Sequence, residues 1–522
     1  MINYNFKQAY LTRFFPALLS GFLLALAFPG ANLYPLAFIG LVPLLICIEN
    51  MGKKERFAAG MVAGFVHFLT LIHWFTGTMH TYGHLNILIA VSLLVLLCLY
   101  FALYFGIFSL VIGTFKFNSF TMPFFAAGLW VALEYLRNYF LTGLPWCLMG
   151  YSQYLNNYFI QIADITGIYG ISFFIVLINA FFALLVINFQ KERRKVVLSG
   201  ISILIIFFSL FLYGNLRKNE IDILIKNAAH TKLAVVQGNI RQDVKWDKKH
   251  LNNTIEIYSG LSEKVSRENP DLIIWPETAL PFYYGVSKKL SDKVDICVRK
   301  AKTSFLVGSP AFERDNEETK YFNRAYMLDK FSVQTGQYDK VHLVPLGEYV
   351  PLGKYMTFLG KLTEQTGDFT QGKCDTQPLA FGVNNAGILI CLEIIFPSLS
   401  RKFVQKGADV LLTITNDAWF GASSAAEQHF SMAVFRTIEN RRSLARAANT
   451  GISGFVDPKG EVLKKTQLFV EASLVHNLPI LKIKSFYTIY GDIFAILCTI
   501  AIFTCFVINM VLMPRLEKKA LD

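Results

Sequence analysis

The sequence predicts a polytopic α-helical membrane protein of about eight spans that carries one α/β domain. Hydrophobic residues make up 53% of its 522 residues and the mean hydropathy is +0.41, which is high for a soluble protein. A segment of ordinary soluble composition, residues 231–480, separates the last apolar run from the others. A chain of this length is also too long for one ordinary domain. These observations together favour a membrane part and a water-exposed part.

Seven apolar runs precede the polar segment, and one follows it. The run at 86–113 has no charged residue and exceeds the roughly 20 residues that a helix needs to cross a bilayer. The first run lacks a clean small-residue cleavage site and further runs follow it, so we interpret it as a span and not as a signal peptide. The predicted spans are residues 14–28, 34–49, 57–78, 86–113, 120–136, 163–189, 196–213 and 487–514.

Basic residues alternate between the connections of these spans. The connections after spans two, four and six and the tail after span eight carry Lys or Arg, whereas those after spans one and three carry neither. Positively charged loops face the cytoplasm, so both termini are predicted to be cytoplasmic and the polar segment to lie outside. In a bacterium with two membranes, the spans then lie in the inner membrane and the polar segment in the periplasm. The formal charge of +13 therefore requires no nucleic-acid partner.

The predicted domain organisation follows from these boundaries. It comprises an N-terminal membrane domain of seven spans at 1–213, a linker at 214–230, a catalytic α/β domain at 231–486, and a C-terminal span with a cytoplasmic tail at 487–522.

Short β-branched runs alternate with amphipathic stretches in the polar segment, which predicts an α/β domain. Neither GxGxxG nor GxxxxGK[ST] occurs, so no nucleotide site is indicated. The eight cysteines form no CxxC pair, so no zinc site or disulfide framework is predicted, and we expect no metal or organic cofactor. The predicted strands are 232–240, 271–277, 304–310, 386–393 and 409–417, and the predicted helices are 248–268 and 427–449.

Three reactive side chains are candidates: Glu277 in "DLIIWPE" and Cys391 in "GILIC" stand at or near the ends of predicted strands, and Lys340 lies between them along the chain in "QYDKVHLVP". A thiolate is a nucleophile, and a carboxylate in reach can take the thiol proton. A lysine stabilises a tetrahedral oxyanion, and the backbone N–H of Leu392 supplies a second donor. Each residue taken singly is more often a packing, turn or surface residue. The combination predicts acyl transfer through a thioester.

Four motifs resemble signatures of the nitrilase, or carbon–nitrogen hydrolase, superfamily. They are "WPETALP" (275–281), "YDKVHLVPLGEYVP" (338–351), "ILICLE" (388–393) and "TNDAWFG" (415–421). The segment "VVQGNIRQDVKW" (235–246) also carries the resemblance, and it is specific in combination with "LVPLGEYVP" and "TNDAWFG". This resemblance implies an α-β-β-α sandwich with a Glu-Lys-Cys triad. The enclosing spans make the chain similar to the membrane-embedded acyltransferases of that superfamily.

Residue roles follow from the resemblance. It implies that Glu277 is the general base, Lys340 the oxyanion-stabilising lysine and Cys391 the nucleophile. It also implies that Glu348 positions the lysine and that Glu393 supports the nucleophile. The alternatives are a surface carboxylate for Glu348 and a helix-start carboxylate for Glu393.

The resemblance further implies substrate-binding roles for tryptophans. Trp246 and Trp419 match motif positions that wall the pocket, and Trp146 matches a loop at the lipid entrance; the alternative for Trp246 and Trp419 is an ordinary buried aromatic residue. An aromatic residue is expected directly after the nucleophile, where this chain has Leu392, but any residue except proline supplies the backbone donor. His429 is interpreted as structural, because a Glu-Lys-Cys site needs no histidine.

The resemblance implies transfer of an acyl chain from a phospholipid to the α-amino group of the diacylglyceryl-modified N-terminal cysteine of an apolipoprotein. The expected mechanism is ping-pong through a Cys391 thioester, and the protein is expected to be a monomer in the lipid bilayer. Two alternatives remain open: a membrane-bound amide or nitrile hydrolase with the same triad, and a transporter or receptor with an external domain. The loop at 360–373 is interpreted as a lid or as a plain surface loop.

Overall fold

The computed structural model describes residues 2–115, 117–315, 318–345, 347–349, 369–373 and 377–509. Most of the loop interpreted as a lid, residues 360–368, therefore lies outside the described residues. The chain divides into two compact units. The helical unit comprises Met1–His73, Val91–Arg217 and Tyr490–Asp522, and the α/β unit comprises Trp74–Ala90 and Lys218–Ile489.

Apolar side chains dominate the helices that precede and follow the α/β elements. Four of these helices, Lys53–Ile72, Ile87–Ile112, Ile168–Asn188 and Arg193–Lys226, are long and apolar enough to cross a membrane. The α-helices of the described residues are α1 (Ile2–Leu26), α2 (Val42–Ile48), α3 (Lys53–Ile72), α4 (Trp74–Gly77), α5 (Ile87–Ile112), α6 (Met122–Tyr139), α7 (Ala163–Thr166), α8 (Ile168–Asn188), α9 (Arg193–Lys226), α10 (Gln242–Lys245), α11 (Leu251–Ser266), α12 (Lys288–Ala301), α13 (Pro397–Gln405), α14 (Ala425–Asn440), α15 (Phe486–Tyr490) and α16 (Ile493–Val507).

Several predicted spans differ from the observed helices. The span predicted at 120–136 corresponds to α6, which is not among the four long apolar helices because Glu134 and Arg137 lower its hydropathy. Helix α9 continues through most of the predicted linker to Lys226, since no Pro or Gly follows Gly214 in it. The last predicted span is divided at Gly491, whose φ of +65° ends one helix before the next begins.

The α/β unit contains two six-stranded sheets. Their orders are β12-β1-β2-β3-β4-β5 and β11-β10-β9-β8-β7-β6. Strands β1, β2 and β3 run parallel in the first sheet, as do β7, β8 and β9 in the second. The strands are β1 (Ala229–Gln237), β2 (Leu272–Ile274), β3 (Ser304–Asp315), β4 (Glu318–Leu328), β5 (Gln334–Asp339), β6 (Leu379–Phe381), β7 (Asn384–Ile390), β8 (Val410–Thr415), β9 (Ser443–Ala448), β10 (Gly454–Val456), β11 (Val462–Lys465) and β12 (Ala472–Ile480).

Helices cover the outer face of each sheet. Apolar side chains of α11 and α12 pack with those of β1, β2 and β3 in one core, and α13 and α14 pack against β7 and β9. The two sheets contact each other through β1 and β12 against β9. Buried Trp275 stacks on Tyr258 at 5.0 Å and donates its indole N–H to Ser262, which satisfies the polar edge of a large core residue. The expected α-β-β-α sandwich is confirmed.

One predicted helix was too long. The pattern at 427–449 predicts a single helix, but α14 ends at Asn440, Arg441 has a φ of +50°, and the next residues form β9. All six residues of β9 are buried, so pairing with β8 and β10 outweighs the helix propensity of "SLARAA". The strand predicted at 386–393 ends at Ile390, where a 3₁₀ helix begins.

Candidate active site

Glu277, Lys340 and Cys391 come together at the carboxyl ends of strands from both sheets. Glu277 lies three residues after the end of β2, Lys340 directly follows β5, and Cys391 directly follows β7. The Lys340 Nζ atom donates to Glu277 Oε1 at 3.3 Å. The charges of both residues act on the Cys391 thiol. The structure therefore brings together the three residues expected to form the triad.

Three donors hold the Glu277 carboxylate. Asn323 Nδ2 donates to Oε1 at 2.7 Å, and the backbone N–H of Asn416 donates to Oε2 at 2.8 Å. The third donor is Lys340. Burial raises the pKa of Glu277, but the charge of Lys340 and these hydrogen bonds outweigh burial and hold the pKa below its ordinary value. Glu277 is therefore an ionised carboxylate, as a general base requires.

Glu348 shares the lysine with Glu277. Lys340 Nζ and Asn323 Nδ2 both donate to Glu348 Oε1 at 2.9 Å, and the backbone N–H of Val344 donates to Oε2 at 2.8 Å. Burial lowers the pKa of Lys340, but the carboxylates of Glu277 and Glu348 raise it well above the ordinary value. The lysine therefore remains a cation, which suits it to stabilise an oxyanion.

Cys391 occupies a strained turn. Its φ of +54° lies in the left-handed region, which is uncommon for a residue other than glycine and frequent at functional sites. Burial raises the pKa of its thiol to about 12; the charge of Glu277 also raises it, and that of Lys340 lowers it. The resting residue is therefore a thiol at neutral pH, and its reaction as a nucleophile requires a base.

The backbone N–H of Leu392 lies in the first turn of the 3₁₀ helix Cys391–Ile395. The first amide groups of a helix have no acceptor within the helix. They form a donor-rich position directly after the nucleophile. The Leu392 side chain is partly exposed and leaves this backbone donor in place.

Glu393 ties the end of β5 to the end of β7. Its Oε1 atom accepts hydrogen bonds from the Tyr338 hydroxyl at 2.9 Å and from the backbone N–H of Val341 at 2.6 Å. A third bond to Oε1 comes from the backbone N–H of His342 at 3.0 Å, and Oε2 accepts the N–H of Ile390 at 2.7 Å. Burial raises the pKa of Glu393 to about 7, against the effect of the backbone hydrogen bonds. Glu393 therefore fixes the end of β5 relative to the end of β7.

A buried polar network is hydrogen-bonded to the turn at Cys391. His429 Nε2 lies 3.1 Å from the carbonyl oxygen of Cys391, and Arg446 Nη2 lies 2.9 Å from His429 Nδ1. Arg446 Nη2 also donates to Asp417 Oδ2 at 2.8 Å. Burial and the Arg446 charge lower the pKa of His429, so its ring is neutral and donates Nε2–H to the carbonyl. This contact agrees with the structural role expected for His429.

Sequence reasoning missed three residues of the site. Asn416 and Lys245 stand inside motifs that carry the resemblance, "TNDAWFG" and "VVQGNIRQDVKW", so their positions were visible but their roles were not. Asn323 lies in the middle of β4, is buried, and bonds both Glu277 and Glu348. A single polar residue within a strand has no sequence signal of this kind.

The three tryptophans have different surroundings. Trp246 is partly exposed and caps α10. Trp419 is partly exposed, its carbonyl accepts a hydrogen bond from Thr78 Oγ1 at 2.8 Å, and its ring meets that of Tyr82 edge-on at 5.9 Å. Trp146 belongs to the helical unit and is 4% exposed. Their roles in substrate binding stay predictions.

Across the ranges that the structure describes, no group of three or more His, Cys, Asp or Glu side chains is arranged to hold a metal ion. The site combines a thiol, an ionised carboxylate and a permanent cation in a largely buried cluster. Such a set can generate a thiolate, stabilise a tetrahedral oxyanion and form a covalent acyl intermediate.

Comparison with known proteins gives consistent matches over both units. Residues 20–181 match the apolipoprotein N-acyltransferase N-terminal domain, and residues 232–486 match carbon-nitrogen hydrolase. The apolipoprotein N-acyltransferase of Geobacter metallireducens is 41% identical over 485 residues, which cover 92% of each chain. That of Haemophilus influenzae is 32% identical over 505 residues, which cover 94% of each chain. Among solved structures, the C. elegans NitFhit protein has a TM-score of 0.39 and 19% identity, covering 48% of this chain and 61% of that chain.

Proposed function

Because this chain belongs to the apolipoprotein N-acyltransferase family, we propose that it transfers an acyl chain from a phospholipid to an apolipoprotein. The acceptor is the α-amino group of the diacylglyceryl-modified N-terminal cysteine. The observation that carries the proposal is the buried Glu277–Lys340 ion pair beside the Cys391 thiol. The amide or nitrile hydrolase alternative is not favoured, because the relatives are acyltransferases over nearly the whole chain.

In the first half-reaction, Glu277 takes the proton of the Cys391 thiol while the sulfur attacks the ester carbonyl of the phospholipid. Lys340 Nζ and the Leu392 N–H stabilise the oxyanion of the tetrahedral intermediate. The C–O bond to glycerol then breaks, and the alkoxide of the lysophospholipid takes the proton from Glu277. A thioester on Cys391 remains.

In the second half-reaction, the α-amino group of the acceptor attacks the thioester carbonyl, and Glu277 takes one of its protons. The C–S bond breaks, the amide forms, and the proton returns from Glu277 to Cys391. Both half-reactions are therefore balanced without a cofactor.

The buried charges favour direct proton transfer between thiol and carboxylate. A thiolate beside an ionised Glu277 would place two anions in a buried site, and this repulsion raises the pKa of Cys391. Transfer of the proton to Glu277 leaves the net charge of the cluster unchanged. Lys340 meanwhile remains positive throughout, because two carboxylates hold its proton.

The proposal includes the membrane arrangement. We place eight spans in the bacterial inner membrane, with both termini cytoplasmic and the α/β unit periplasmic, and we take the functional form to be a monomer. The support is the alternation of basic connections along the sequence and the four long apolar helices with three shorter ones. Both proposed substrates carry acyl chains, so an enzyme anchored in the bilayer meets them without extracting them into water.

The test is the intact mass of the purified protein after incubation with a phospholipid of defined chains, for wild type and Cys391→Ala. We expect an added mass of one acyl chain on the wild type alone. A diacylated lipopeptide with a free α-amino group should then remove the adduct and gain the chain, whereas the N-acetylated lipopeptide should not. Release of free fatty acid at the same rate with or without the lipopeptide would contradict transfer and indicate hydrolysis.

A further inference from the structure

A second lysine lies buried beside the proposed base. Lys245, the last residue of α10, is only 1% exposed, and lysines are almost never fully buried unless they are paired. Its Nζ atom donates to Thr278 Oγ1 at 2.6 Å and to the backbone carbonyl of Glu277 at 3.3 Å. Within the described residues, it makes no ion pair with a carboxylate within 4 Å. Lys245 takes no part in the two proposed half-reactions.

The two acceptors of Lys245 belong to one strained turn. Thr278 has a φ of +46°, in the left-handed region that a β-branched residue rarely adopts. Gly308 of β3 also approaches this turn so closely that an added Cβ would lie 2.8 Å from the Cα of Glu277. The lysine and the glycine therefore both contact the turn that carries the carboxylate of Glu277.

We propose that Lys245 is a positioning residue for the base: its ammonium group locks the turn at Glu277 and Thr278 and places a second positive charge beside the Glu277 carboxylate. This inference rests on the proposed role of Glu277. A second positive charge explains how two carboxylates, Glu277 and Glu348, fit in a buried cluster where both bond the same cation, Lys340. Lys245 supplies the second cation.

Within the described residues, Glu348 is a second carboxylate beside Glu277, and it shares the donors Lys340 and Asn323 with it. Lys340 comes from the end of β5 and Cys391 from the end of β7, while Asn323 of β4 and the Asn416 amide after β8 are uncharged donors. Lys245 comes from α10, and its charge lowers the pKa of Glu277. Burial lowers the pKa of Lys245 itself to about 7, so below neutral pH the side chain carries its charge. Loss of that charge makes Glu277 easier to protonate.

The experiment measures the rate of acyl-enzyme formation by intact mass, with excess phospholipid, from pH 3.5 to 9, because the pKa of Glu277 lies below its ordinary value. Lys245→Met keeps the length of the side chain but removes the donor and the charge. We expect its plateau rate to fall roughly 10- to 100-fold, the effect of one lost hydrogen bond to a charged group. We also expect its rate to begin falling about one pH unit higher on the acid side than in the wild type. Lys248→Met, which removes an exposed lysine, is the matched control.

Three further variants make the outcome decisive. Lys245→Arg keeps the charge and should retain the wild-type acid side. Thr278→Val removes the shared partner, and combining it with Lys245→Met should cost little more than the larger single effect, because the two act as one unit. If Lys245→Met does not fold, these two single variants provide the test.

The variant Glu277→Gln tests the proposed base independently of the role of Lys245. If Glu277→Gln forms the acyl-enzyme as fast as the wild type, the proposed base is wrong, whatever Lys245 does. If Glu277→Gln is inactive but Lys245→Met matches the wild type in rate and pH dependence, the positioning role is overturned. A Lys245→Met variant that melts earlier and loses rate equally at every pH would show a purely structural lysine and would likewise overturn it.

Discussion

Replacing Glu393 by Gln changes one end of a buried carboxylate from an acceptor to a donor. In the wild type, the two oxygens accept four hydrogen bonds, three from backbone N–H groups and one from the Tyr338 hydroxyl. The Gln oxygen can keep the three bonds made to Oε1. Its NH₂ group then faces the N–H of Ile390, and that donor loses its partner in the fully buried interior.

The structure sets the size of the effect. A buried donor left without a partner costs about 1–3 kcal/mol. Above pH 7, where Glu393 is ionised, three bonds that lose their charged acceptor weaken by about 1 kcal/mol each. The variant no longer buries a charge, which offsets part of this loss. We therefore expect a net loss of about 2 kcal/mol in the free energy of unfolding, which lowers the melting temperature of the α/β unit by about 4–8 °C.

The assay is thermal unfolding in detergent, followed by tryptophan fluorescence, together with the rate of acyl-enzyme formation. Tyr338→Phe is the matched control, because it removes one donor and leaves the carboxylate three partners. It should lower the melting temperature by only about 2–4 °C. Glu393→Gln should also slow acylation about 10-fold, since the carboxylate sets the distance between the ends of β5 and β7.

A Glu393→Gln variant that melts within about 1 °C of the wild type would refute this reasoning. So would an equal decrease for Glu393→Gln and Tyr338→Phe, because it would show that the backbone donors contribute nothing. In either case, β5 and β7 would be held together by apolar packing alone.

Three other predictions concern the proposed site. Asn323→Asp, nearly identical in shape, places a third carboxylate against Glu277 and should slow acyl-enzyme formation about 100-fold, while Asn323→Ser should lose less. Leu392→Ala keeps the backbone N–H and should stay within about 3-fold of the wild-type rate, whereas Leu392→Pro should lose at least about 100-fold; equal losses in the two variants would exclude the amide as an oxyanion donor. Burial and the Arg446 charge hold the pKa of His429 below its ordinary value of 6.5, so the unfolded chain binds the extra proton and stability falls as the pH drops below that value. His429→Gln should therefore show a smaller decrease in melting temperature between pH 6.5 and 5 than the wild type, and an unchanged decrease would contradict a neutral buried ring.

The order of side-chain types along the chain was sufficient to predict the two-part architecture. Apolar runs are local properties, because a bilayer requires a long apolar segment whatever the rest of the chain does. The same holds for strands β1, β2, β3 and β8, whose β-branched runs predicted them. Glu277 and Cys391 were also visible at or near the ends of such runs, and Lys340 was visible inside a recognisable motif.

Where neighbouring elements decide the conformation, sequence reasoning failed. "SLARAA" has helix propensity, yet it forms β9 because β8 and β10 offer it hydrogen bonds on both sides. Helix α9 extends through most of the predicted linker for a local reason instead: a polar stretch without Pro or Gly continues a helix that has already begun.

The sequence by itself determined which chemistry is available: a thiol, a carboxylate and an amine. Only the tertiary structure decided how these groups are tuned, because a pKa depends on burial and on charges that are distant in sequence. Asn323 joins Glu277 to Glu348, and His429 holds the carbonyl of Cys391. Lys245 reaches the Glu277 turn from 32 residues away. Contacts of this kind form when two sheets pack face to face, and no local pattern encodes them.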